Sequence, residues 1–141
     1  MPAFVRAFTD LLAAGALWIS WPGSRAPGPF RGRPCQGRIW KRAFPHAGKE
    51  ELRDFLAMFA GSFRLHAGER LRFAPEDRIL DVYAARYPRK GGLGVDAMEL
   101  EVLALETRGR YGVDLEAMRS EHLTLGELFA ACRSGERLPP R

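Results

Sequence analysis

Gly94 to Leu115, GVDAMELEVLALETRGRYGVDL, is the stretch whose reading decides the fold. It reads as one bounded amphipathic helix with a turn at each end. Asp96 is placed as an N-cap, where its carboxylate accepts hydrogen bonds from the first free backbone amides, and Glu99 three positions on completes a capping-box pattern. Gly112 stands where a left-handed C-terminal stop belongs. At about 100° per residue the apolar positions fall into two stripes. Leu100, Leu103 and Tyr111, with Thr107 between them, form the first; Met98, Val102 and Leu105 form the second, on nearly the opposite side. Glu99, Glu106 and Arg110 divide the stripes along one flank, Glu101 and Arg108 along the other. One stripe faces a core, and the other is left to face something else.

Upstream, Leu52, Phe55, Leu56, Phe59 and Phe63 recur at spacings of three and four, which predicts a helix from Lys49 with these residues on one face. Glu50, Glu51 and Asp54 lie in its first turns, where the helix dipole favours negative charge. Arg64 to Ala74 reads as an irregular connection. A short helix starts near Pro75-Glu76-Asp77, runs through Ile79, Leu80, Val82 and Tyr83, and is stopped by Pro88, with Arg89 to Gly92 as a turn. Downstream, Val113 to Glu121 holds at most one helical turn around Glu116 to Met118. Thr124 and Glu127 form a second capping box, followed by Leu125, Leu128, Phe129 and Cys132 on one face and Gly135 as a stop. The tail after it, ERLPPR, cannot continue a helix. No segment alternates apolar and polar residues over any length, so the class is all-α.

The first 48 residues are different in kind. Phe4 to Trp21 allows a short apolar helix, and Trp21 to Arg42, WPGSRAPGPFRGRPCQGRIWKR, is dense in proline, glycine and arginine. Such a stretch does not sustain helix or ladder hydrogen bonds, and the expectation is a disordered linker. Residues 1–48 are therefore an irregular N-terminal extension, 49–134 the helical domain and 135–141 a tail. The apolar run of about eleven residues from Leu11 is too short to span a bilayer, which takes roughly 20. Asp10 interrupts the approach to a signal peptide and Trp21-Pro22 ends it, so cytoplasmic location is the expectation.

The net charge of +5 is unevenly placed: residues 1–95 carry 16 Lys+Arg against 8 Asp+Glu, and residues 96–141 carry 6 against 9. Nearly all the positive charge is arginine, and abundant Arg, Ala, Gly and Leu is also what a GC-rich coding sequence would produce, so the basic total says little about partners. Nucleic acid is not the expected partner. The alternative is that Arg25, Arg31, Arg33, Arg38, Lys41 and Arg42, interleaved with Phe30, Trp40 and Phe44, bind it through phosphate neutralisation and base stacking. His46, His66 and His122 have no metal-type spacing with Cys35 or Cys132, and no metal or other cofactor is expected. The two cysteines, far apart in a chain with no other mark of a secreted scaffold, do not suggest a disulfide. No Walker-type loop is present and no nucleophile with its base can be read, so no enzymatic activity and no catalytic residue is expected.

The order of elements, a helix, a long connection, a capped helix opening G-x-D, a short third helix and a capped fourth, resembles the acyl carrier protein family. The likeness is closest over Gly94-Val95-Asp96-Ala97-Met98 and Tyr111-Gly112-Val113-Asp114-Leu115, which match the family's G-x-D-S-L opening and aromatic-Gly-Val-acidic-aliphatic close with the spacing between them kept. The chain is also similar to small uncharacterised bacterial acyl-carrier-like proteins whose last helix opens with an LTLG-type run, as at Leu123 to Gly126. The resemblance implies a four-helix bundle over roughly residues 49–134. It also implies a serine bearing phosphopantetheine, but Ala97 occupies that position and has no hydroxyl. The expectation is a non-enzymatic interaction module that has lost the site and docks a protein, with an acyl-transfer or fatty-acid-type enzyme as the partner implied. Met98, Val102 and Leu105 are the expected contact, rimmed by Glu99, Glu101 and Glu106. Two other readings stay open: the N-terminal segment or the Pro88 to Gly92 connection covers this stripe as core, or a different serine (Ser62, Ser120 or Ser134) carries the arm.

Overall fold

The computed structural model describes residues 23–86, 98–118 and 120–134. The expected apolar helix before Trp21, the stop at Pro88 and its turn, the cap at Asp96, Ala97 and the C-terminal tail lie outside the described residues. The fold is all-α. Its helices are α1 (Gly37–Ala43), α2 (Lys49–Ser62), α3 (Ile79–Arg86), α4 (Met98–Tyr111), α5 (Leu115–Met118) and α6 (Leu125–Ser134), with 3-10 turns at Gly28–Phe30 and Ala67–Arg72. Pairing of extended backbone among the described residues is limited to two isolated bridges, Ser24 with Leu65 and Arg78 with Thr124.

Helix α2 forms where the spacing predicts it. The Glu51 carboxylate accepts from the Gly48 amide at 3.3 Å and closes the first turn. Phe55, Leu56 and Phe59 are fully buried, and Phe63 follows just past the end. Ser62, near that end, turns its hydroxyl back onto the Met58 carbonyl at 2.9 Å, which makes a buried polar group acceptable. The connection from Arg64 to Ala74, expected to be irregular, holds the 3-10 helix Ala67–Arg72, which packs against α2.

The segment expected to be a disordered linker is corrected from residue 23 onward: residues 23–48 pack on the helical domain. Trp40 and Ala26 are fully buried and Phe30 nearly so. The Trp40 indole donates to the Phe73 carbonyl at 2.7 Å and meets Phe129 edge-on at 5.7 Å, while Phe30 lies 5.4 Å from Phe73. Arg33 holds Asp77 with both guanidinium nitrogens, at 2.7 and 3.1 Å, and exchanges bonds with Arg72, each donating to the other's carbonyl. Asp77 is also held by the Ala74 amide at 2.6 Å. Proline and glycine exclude regular hydrogen bonding within the segment, but they leave side chains free to anchor it to distant residues. The core is accordingly larger than residues 49–134.

The starts of α3 and α6 are stitched together. Ile79 N–H donates to Leu123 O at 3.1 Å, Leu125 N–H to Asp77 O at 2.9 Å and Gly126 N–H to Pro75 O at 2.8 Å. Thr124 caps α6 by accepting from the Glu127 amide at 3.2 Å, the bond that the capping-box pattern requires. Leu125, Leu128, Phe129 and Cys132 all face the core.

Candidate functional site

Helix α4 is the element that joins the expected site to the core. Leu103 and Thr107 are fully buried, with Leu100 and Tyr111 packed at the margin of the core. Thr107 is a polar residue at the centre of a buried face, and its hydroxyl bonds to the Leu103 carbonyl at 2.9 Å and the Ala104 carbonyl at 3.0 Å. Gly112 ends the helix at φ +69°, its amide donating to Arg108 O at 3.0 Å. Burial holds the Tyr111 hydroxyl proton more tightly than in water.

The second stripe lies on the side away from Leu103 and Thr107. Met98 is 40% exposed, whereas Val102 and Leu105 are half-buried. Of the expected acidic rim, Glu101 is exposed. Glu99 is corrected: at 6% exposure it belongs to the buried side of the helix and cannot border a contact surface. Glu106 lies about two turns further along that flank, is half-buried and is held by Arg110 at 2.6 Å. Glu99 and Glu106 fall about 40° and about 60° from Leu103 around the helix, so the core reaches further round α4 than its apolar residues mark.

A cleft of about 140 Å³, which sequence reasoning did not foresee, opens beside this surface. Ile79, Leu80, Leu100, Leu115 and Leu123 line it, with Glu101, Glu116 and Ser120 as its polar members. It arises where α3, α4, α5 and the turn before α6 meet without filling the space between them. No local pattern marks such a gap, because each wall belongs to a separate element.

The serines divide clearly. Ser62 is buried and bonded within α2, while Ser120 and Ser134 are exposed, Ser120 at the cleft and Ser134 at the end of α6. Among the described residues no group of His, Cys, Asp and Glu is placed to hold a metal ion. Cys35 is exposed and Cys132 buried, with both thiols free. No helix among the described residues is long and apolar enough to cross a membrane. Comparison with protein-family models, with curated proteins and with solved structures gives no match to this chain.

Proposed function

We propose that the chain is a non-enzymatic protein-interaction module, an acyl-carrier-like four-helix bundle without a phosphopantetheine site. The observation that supports this reading most is the outer side of α4, where Met98 is 40% exposed beside half-buried Val102 and Leu105. An apolar group left at the surface of a helix already anchored by its other side is what a docking contact requires. The order α2, α4, α5 and α6 supports the bundle arrangement, and Ala97 removes the hydroxyl on which a carrier depends. Glu101 supplies the polar edge, and the partner class implied by the family likeness is an enzyme of acyl transfer.

Affinity capture from the source cells tests the reading, with the chain compared with its Val102→Asp/Leu105→Asp variant. An acyl-transfer enzyme held by the first and lost by the second supports it, and equal capture by both removes the α4 surface from the account. Incubation with coenzyme A and a phosphopantetheinyl transferase leaves the intact mass unchanged on this reading. A gain of the arm's mass identifies a carrier instead.

A further inference from the structure

The folded part of the N-terminal segment turns a run of arginines into a surface of fixed geometry. Between residues 23 and 48 there are six Lys+Arg and no Asp or Glu. Arg33 is committed to Asp77. The other five, Arg25, Arg31, Arg38, Lys41 and Arg42, are exposed and form no ion pair among the described residues. On α1, Trp40 points into the core, and at about 100° per residue Arg38 and Arg42 lie within about 20° of the opposite direction. They are four residues apart and stand side by side.

The segment is fixed to a second basic stretch. Ser24 N–H donates to Arg64 O at 3.0 Å, His66 N–H to Ser24 O at 2.8 Å and Gln36 N–H to Leu71 O at 2.8 Å. This brings Arg25 beside exposed Arg64 and His66, and α1 beside Arg70 and Arg72. Glu69, the one acid of that stretch, is held by Arg72 at 3.3 Å. The result is a belt rich in arginine, in which the acids Asp77 and Glu69 are already paired with Arg33 and Arg72.

We infer that this belt binds the phosphate backbone of nucleic acid without reading sequence. Guanidinium groups bond phosphate oxygens in pairs, and a polyphosphate is the partner that engages many of them at once. The aromatic residues interleaved with the arginines decide the mode. Phe30 and Trp40 are core residues, so they are closed to base stacking and equally closed to insertion into a lipid surface. Charge, beside the exposed large apolar side chain of Ile39, is what the belt offers, and this contact is separate from the docking surface on α4.

Fluorescence anisotropy of a labelled duplex of about 20 base pairs, titrated with the full chain across a salt series, tests the inference. Binding is expected to weaken with a log–log slope of about −3 to −5, the signature of four or five neutralised phosphates. Arg38→Glu/Arg42→Glu and, separately, Arg25→Glu/Arg31→Glu are each expected to lose at least about tenfold in affinity with circular dichroism unchanged, two variants ensuring that one misfolded protein does not decide the matter. Arg108→Glu on α4 retains full binding. Absence of binding at the lowest salt, salt-independent binding, or full binding by both charge-reversed variants overturns the inference. So does tighter binding to a single strand of equal length, to phosphatidylserine vesicles, or to a second copy of the chain.

Discussion

The indole of Trp40 is enclosed by Phe44 at 5.9 Å, Phe55 at 6.4 Å and Phe129 at 5.7 Å, and its N–H is satisfied by the Phe73 carbonyl. Removing it empties a site shared with two other helices, α2 and α6. Trp40→Ala is expected to cost about 3–5 kcal/mol in urea denaturation, and a cost below about 1 kcal/mol contradicts the packing. Nothing local in Trp21 to Arg42 marks this role, since apart from Phe44 its partners lie 15 to 89 positions further along the chain. The sequence signal is a few aromatics spaced among proline, glycine and arginine, and such spacing gives no periodicity to read. Cys132 is the opposite case, legible as a core residue from its place on the apolar face of α6. Burial pushes its thiol up to about 12, so in the fold it stays neutral. Between the ordinary value of 9.0 and about 12 the unfolded chain has released a proton that the folded chain keeps. Folding stability therefore falls as pH rises through that window and is fully present below it. Cys132→Ala removes this part of the alkaline loss, and a slope unchanged between pH ~9 and ~12 contradicts the assignment.

At the scale of elements, helix starts and stops were the most legible features. Thr124 on the Glu127 amide and Gly112 at positive φ are local devices that local sequence shows, whereas Glu51 reads there only as a first-turn charge and its bond to the Gly48 amide is a finding of the structure. The width of the buried face of α4 was not legible. A helical projection orders residues around an axis but does not say how far neighbours wrap round it, so Glu99 projects to the rim yet lies at 6% exposure. Gly126 shows how an element contact restricts one residue. A Cβ there would stand 3.0 Å from the Pro75 carbonyl oxygen and 3.1 Å from the Pro75 Cβ, against backbone that α6 itself holds by a hydrogen bond. Gly126→Ala is expected to destabilise by about 1–3 kcal/mol through overpacking despite the gain in helix propensity, and a stabilised variant in thermal melts contradicts the close approach.

Over the whole molecule, the division between an arm and a domain does not hold from residue 23 onward. Arg33 and Asp77, the Trp40 cluster and the Ser24–Leu65 bridge tie residues 23–48 to α2, α6 and the 3-10 helix. A chain beginning at Gly48 loses these contacts and exposes Phe55, Phe73 and Phe129. It is expected to melt at least about 10 °C lower than the full chain, and an equal melting temperature returns the segment to the status of a dispensable linker. Charge follows the same division, with cations gathered on the N-terminal segment and its neighbours and carboxylates on the α4 to α6 side.

A docking contact on α4 requires that the outer side of the helix be surface that the core does not need. Thermal denaturation of Val102→Asp/Leu105→Asp, followed by circular dichroism, addresses that claim without any knowledge of the partner. If the core does not need these half-buried positions, the two carboxylates lower stability by no more than about 2 kcal/mol, leaving helicity intact and the melting temperature within about 10 °C of the parent. Loss of helicity, or a melting temperature lower by more than about 10 °C, shows that Val102 and Leu105 are core and contradicts the docking surface.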